Sequence, residues 1–259
     1  MKIGFAFLTY NKIFNEKVWL TLSSELKKHG HEILFSSHSK RPLETSLPLN
    51  AIPTIYTRWG DKSLVQASFL LFFDLFNRGA DIVYLFSGDM LPLSRSKGFI
   101  SFNQESTFCI QNKQGLKAHY DQKYYDKRKP FVGINQNLWN LRMFNEKGFI
   151  INSKDFHKQA MFFCINAQDF RQIYSHCTKT EAYKKLQQLA PMDEYFWVNL
   201  FVYFKIDFRP LANYLYCHKN NNIDTQAQNF RMSFLKEDVL SRFLFLRKLR
   251  EEGAEISFK

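Results

Sequence analysis

Strand, helix and strand follow one another between residues 3 and 36, and that order leaves few folds open to the chain. Ile3-Gly4-Phe5-Ala6-Phe7-Leu8 is an uninterrupted apolar run, the pattern of a strand buried on both faces. The spacing of Val18, Leu22 and Leu26 predicts a helix over 16–28, with Gly30 as its stop. Glu32-Ile33-Leu34-Phe35-Ser36 reads as a second strand. A strand–helix–strand opening of this kind closes as a right-handed parallel unit.

The alternation continues downstream. Leu64, Ala67, Leu71 and Leu75 share one face of a predicted helix over 61–77, started by Gly60 or Asp61. A strand over 81–86 follows, ending in the turn Ser87-Gly88-Asp89-Met90-Leu91-Pro92. In open α/β sheets ligands collect at that C-terminal end of the strands. Further strands are expected over 99–102, 160–165 and 213–217. Helices are expected over 167–189, from Pro191-Met192-Asp193-Glu194 into Tyr195, Phe196, Trp197 and Leu200, and over a basic 236–250. Residues 111–130 read as a long polar loop rich in Lys and Tyr. No repeat or low-complexity linker divides the chain, so residues 1–259 are expected to form one domain.

Hydrophobic residues make up 45% of the chain, enough for a buried core. Lys and Arg outnumber Asp and Glu by 36 to 24, which favours anionic partners without choosing among nucleotides, nucleic acid and acidic membranes. Cys109, Cys164, Cys177 and Cys217 stand far apart with no C-x-x-C. They read as reduced thiols, not as a zinc site. The N-terminal apolar run is too short for a signal peptide, and no stretch reaches the length of a membrane span. A cytoplasmic protein without stable membrane insertion is the expectation.

Absences narrow the chemistry. The chain carries no D-x-D clamp, no G-x-x-x-x-G-K-[ST] phosphate loop, no G-x-G-x-x-G and no H-E-x-x-H. A transferase binding a diphosphate without a D-x-D must neutralise it with Lys and Arg. Asp193-Glu194 is the best acid/base pair. Its alternative is capping, with Asp193 as N-cap and Glu194 in the first turn. Arg247-Lys248, after Phe243-Leu244-Phe245-Leu246, reads as a phosphate clamp or as the solvated end of a helix. Arg231 is a weaker cationic candidate. His38, after the second strand, reads as a contact to a base or ribose, or as an ordinary surface histidine.

Taken in order, these pieces resemble the core-2/I-branching glycosyltransferases, glycosyltransferase family 14, in its compact viral and bacterial form. The opening Ile3–Tyr10 resembles the family's first strand. Arg58-Trp59-Gly60-Asp61-Lys62-Ser63-Leu64-Val65-Gln66-Ala67 resembles its W-G-x-x-S-L-V-x-A helix start. Tyr84–Leu93 resembles its S-G-x-x-x-P-[IL] turn, Ala190–Phe196 its P-x-D-E-x-[YF] segment, and Leu244–Leu249 its closing L-F-x-R-K-F. The chain departs from the pattern at Met90, where many members carry Asp, and at Cys164-Ile165-Asn166, where the family has L-S-R. The resemblance implies a GT-A type α/β/α sandwich with a mixed, mostly parallel sheet. It implies metal-independent, inverting transfer of a sugar, N-acetylglucosamine or xylose, from a UDP-linked donor to a glycan hydroxyl. Glu194 would be the base beside Asp193. Lys248, Arg247 and Arg231 would meet the diphosphate, and Leu8, His38, Ser87 and Asp89 would line the donor site. No cofactor beyond the donor and no nucleic-acid partner are expected. The rivals are a basic nucleic-acid-binding protein and an inactive, glycan-binding relative.

Overall fold

The structure, a computed structural model, describes residues 1–58, 62–110, 136–179, 194–211, 215–216, 244–247 and 252–258. Within them the chain forms β1 (Lys2–Thr9), α1 (Glu16–Lys28), β2 (Glu32–Ser39), β3 (Leu49–Ala51), α2 (Lys62–Asn77), β4 (Ile82–Ser87), β5 (Met90–Pro92) and α3 (Ser96–Phe102). There follow β6 (Thr107–Ile110), α4 (Gln136–Glu146), β7 (Gln159–Asn166), α5 (Ala167–Lys179), α6 (Phe196–Phe204), β8 (Arg209–Leu211), β9 (Leu215–Tyr216) and β10 (Phe245–Arg247). Seven strands form one sheet in the order β3-β2-β1-β4-β7-β6-β8. Six point one way and β7 runs against them. A second sheet, β5-β10-β9, follows the turn at the end of β4. The class is α/β with a mixed, mostly parallel sheet, as expected.

Alternation along β1 divides the interior into two cores. Ile3, Phe5 and Phe7 face α1, where Trp19 packs edge-on at 5.8 Å from Phe5 and 4.9 Å from Phe7. Ala6 and Leu8 face the opposite core, which holds α2, α5 and α6. Gly4 lets α2 approach: a Cβ there would stand 2.9 Å from Val83 Cγ2 and 3.1 Å from Leu75 Cδ1. The abundant Phe residues serve both cores, and each fully buried ring is worth roughly 1.5–3 kcal/mol over its exposed state.

Two expected elements differ. Residues 99–102 belong to helix α3, not to a strand. Ser96 and Ile100, four apart, are both buried while Phe102 is exposed, so burial follows the helical period. A short apolar run does not distinguish the two by itself. Residues 245–247, placed in a basic helix by sequence, form strand β10 instead. Its backbone pairs with β5, Phe245 opposite Pro92 and Arg247 opposite Met90, and Phe245 and Leu246 are fully buried. Burial of that apolar pair against β5 overrides the helical pattern. Strands β3, β5, β6 and β8 and helix α4 form where no sequence pattern marks them. The segment 111–130 and Cys217 lie outside the described residues. Cys109, Cys164 and Cys177 are buried and form no disulfide, and burial pushes the thiols of Cys164 and Cys177 up to about 12. No described helix is long and apolar enough to cross a membrane.

Candidate functional site

Sheet order decides where the site lies. The chain passes from β1 to β2 and β3 on one side, then crosses back by α2 to β4 on the other side of β1, and in open α/β sheets ligands collect at the C-terminal ends of the strands at such a reversal. Three of the expected donor-site residues meet there in one register row: His38 of β2, Leu8 of β1 and Ser87 of β4. Just beyond, the Ser87 hydroxyl donates to Asp89 Oδ1 at 2.6 Å. Met90, where the family pattern has Asp, is a buried core residue.

Gly88 brings that turn against the β1–α1 loop. Its N–H donates to the Leu8 carbonyl at 3.1 Å, and its carbonyl accepts from Phe14 N–H at 2.8 Å. A Cβ at this position would meet the Lys12 carbonyl oxygen at 2.3 Å and Thr9 Oγ1 at 2.6 Å, so only glycine fits. The same loop is held from its other side by the C-terminal segment. Buried Asn15 adopts a left-handed backbone, φ 55°. Its N–H donates to Glu252 Oε2 at 2.8 Å, its Oδ1 accepts from Ala254 N–H at 2.9 Å, and Lys12 Nζ pairs with Glu252 Oε1 at 2.8 Å. Burial alone would raise the Glu252 carboxyl, but Lys12 and the Asn15 N–H outweigh it and hold it below its usual range.

His38 is neither a surface residue nor open to a ligand base. It is 1% exposed, and its Nε2 accepts a hydrogen bond from Ile55 N–H at 3.0 Å. Nδ1 therefore carries the proton of the neutral ring. Its structural work is to hold the segment that joins β3 to α2. Burial, as the leading cause, depresses the pKa values of His38, His31 and His157 below their ordinary 6.5. The unfolded chain thus binds protons that the folded chain refuses. The stability these three groups contribute is fully present above about pH 6.5 and is lost as pH drops toward the depressed folded values. Melting curves between about pH 7.5 and 5 are expected to show this fall, with a shallower slope in His38→Gln, which no longer titrates there.

Glu194 reaches the same edge from the other half of the sheet. Because β7 is antiparallel, its first residue, Gln159, lies beside the C-terminal end of β6, opposite Ile110. Gln159 N–H donates to the Glu194 carbonyl at 2.8 Å. The Glu194 carboxylate is half-buried, with Oε2 paired to Lys158 Nζ at 2.8 Å. Lys158 also stands 5.9 Å from the centre of the Tyr195 ring. Among the described residues nothing bonds Oε1. Sequence pattern gave no signal for Lys158, which is far from Glu194 along the chain and becomes its neighbour through the direction of β7.

The capping alternative is corrected here. Helix α6 begins at Phe196, and its N-cap is Tyr195, which makes no side-chain capping hydrogen bond. Glu194 therefore precedes the helix and is not part of its first turn, and Asp193 is not at the N-cap position. Asp193 itself, Lys248 and Arg231 lie outside the described residues, as do Trp59, Gly60 and Asp61. Arg247 ends β10 with its backbone opposite Met90, next to Asp89. The small sheet thus brings the backbone of Arg247 beside the turn that carries Ser87 and Asp89.

Among the described residues, no group of three His, Cys, Asp or Glu is placed to hold a metal ion. A cavity of about 750 Å³ lies beside the β1–α1 loop, lined among others by Lys12, Glu16, Glu44, Ser46 and Glu252. Its lining does not include Glu194. A scan of protein-family models finds no match to this chain, and a search of curated proteins finds none either.

Proposed function

We infer that the chain is a GT-A type, inverting glycosyltransferase that moves a sugar from a UDP-linked donor to a glycan hydroxyl. One observation carries the reading. A half-buried carboxylate, Glu194, stands on the same sheet edge as the Ser87–Asp89 turn and the backbone of Arg247. Support comes also from the mostly parallel sheet with its single reversed strand, and from five family-like motifs occurring in the family's order.

In this reaction the acceptor hydroxyl oxygen attacks the anomeric carbon of the donor. The bond from that carbon to the diphosphate breaks, and the electron pair leaves with the nucleoside diphosphate. Glu194 takes the hydroxyl proton. Lys158, paired with the far carboxylate oxygen, fixes which oxygen faces the acceptor. Lys248, with Arg247 and Arg231, neutralises the departing diphosphate.

Nucleotide sugars provide the test. A matching donor at a hundred times its Kd is expected to stabilise the fold by about 2.7 kcal/mol, read as a rise in melting temperature. Transfer from that donor is expected to survive EDTA, since cationic side chains replace the missing D-x-D. A transfer activity that vanished with EDTA and returned with Mn²⁺ would overturn the cationic clamp. Failure of every nucleotide sugar to shift the melting curve or react would overturn the transferase reading itself.

A further inference from the structure

A second feature of the same edge remains unexplained by the catalytic residues. Tyr10 and Tyr56 are 51% and 71% exposed, and cations sit between and around them. Lys40 Nζ lies 5.8 Å from the Tyr10 ring centre and 5.5 Å from that of Tyr56. Arg41 stands 4.8 Å from Tyr10, and Arg58 stands 5.6 Å from Tyr56. All three cationic residues are exposed.

The patch is held by backbone wiring, so its groups are placed before any ligand arrives. Lys40 N–H donates to the Thr9 carbonyl at 3.1 Å, and Arg41 N–H donates to the Tyr10 carbonyl at 2.8 Å. The hydroxyl of Thr54 donates to the Ser39 carbonyl at 3.1 Å, and Arg58 N–H donates to Ser63 Oγ at 2.9 Å. Glu44, the acid nearest in sequence to Arg41, lines the neighbouring cavity. Through Thr9, which abuts Gly88, the patch runs directly into the Ser87–Asp89 turn.

We propose that Tyr10, Tyr56, Lys40, Arg41 and Arg58 form a docking surface for an anionic saccharide, the phosphate- or carboxylate-bearing part of the acceptor. Its role as an acceptor site rests on the transferase reading; the binding itself does not. Three cations around two rings fit a short chain in which acidic groups alternate with sugar faces. The rings supply flat apolar area at small conformational cost, and the cations supply charge-assisted hydrogen bonds. The surface is built from three short segments, after β1, after β2 and between β3 and α2, and ends at the candidate catalytic edge. That favours the end of a saccharide over a long single strand of nucleic acid, which needs an extended groove.

The probe is a six-sugar heparin fragment, compared with a neutral dextran fragment and a short oligothymidylate, by calorimetry on the full chain. Tyr10→Ala with Tyr56→Ala leaves the charge unchanged and is expected to weaken heparin binding about tenfold, the scale of a lost aromatic stacking contact. Lys40→Ala with Arg41→Ala is expected to cost at least as much. Lys27→Ala with Lys154→Ala removes the same charge from exposed positions elsewhere and is expected to change little. Equal losses in the two charge pairs, or unchanged binding in the tyrosine pair, would reduce the effect to net charge and overturn the proposal. Tighter, tyrosine-dependent binding of oligothymidylate would overturn it in favour of nucleic acid. Melting curves check that each variant folds. Heparin binding by a chain that transfers no sugar would keep the patch and remove its acceptor role together with the transferase reading. Transfer to neutral saccharides without heparin binding would remove the patch alone.

Discussion

Glu194→Gln is expected to lower the rate of sugar transfer by about 10² to 10⁴, the usual contribution of a positioned general base. The amide keeps the side chain's shape and can still accept a hydrogen bond from Lys158, but it cannot take the acceptor's proton. Donor affinity is therefore expected to stay near that of the wild type, and the melting temperature to change little. The carboxylate and Lys158 are each partly exposed, so losing the ion pair costs on the order of 1 kcal/mol or less. Single-turnover transfer at saturating donor isolates the chemical step. Turnover near the wild-type rate would place the base elsewhere.

Trp197→Ala carries the largest expected effect on stability. Trp197 is 1% exposed in the first turn of α6. Its ring lies 4.3 Å from Phe69 and 5.2 Å from Phe72 of α2, and its Nε1–H donates to Ser68 Oγ at 3.0 Å. Truncation leaves a cavity between α6 and α2 and removes the hydrogen bond that Ser68 Oγ accepts, while its donation to the Val65 carbonyl at 2.7 Å remains, at a cost of about 3–5 kcal/mol. For a domain of this size each kcal/mol lowers the melting temperature by roughly 2–4 °C, so calorimetry is expected to show a fall of about 10 °C. Trp197→Phe keeps most of the volume and is expected to lose much less. A loss below about 1 kcal/mol in the alanine variant would contradict the packing of α6 on α2. Because Glu194 lies just before this helix, the alanine variant is also expected to transfer sugar more slowly.

The fold was legible where period and punctuation agreed. Val18, Leu22 and Leu26 mark α1, and all three are buried. Gly30, with φ 79°, stops it where the sequence says. Legibility failed where a short apolar run fits two periods. Ile100 and Leu246 are both fully buried, yet one lies in a helix and the other in a strand, and only their neighbours decide. The candidate site was legible in its parts but not in its assembly. Ser87, Asp89 and Glu194 are recognisable by residue type and motif. Lys158 is not, because the reversal of β7 that brings it to Glu194 is a property of the whole sheet. His38 shows the converse error: a lone polar residue after a strand looks solvent-facing until the segment carrying Ile55 covers it.

The Asn15–Glu252 clamp has a consequence for the order in which this protein is made. The hydrogen bond joins residues 237 positions apart, whereas β1, α1 and β2 complete their mutual pairing within the first 39 residues. A nascent chain therefore carries the paired β1 and β2 long before the residue that locks the loop after β1 has been synthesised. Contacts of such long range form late. The loop bearing Lys12 and Asn15 thus stays unlatched until the segment around Glu252 has been made and docks against it.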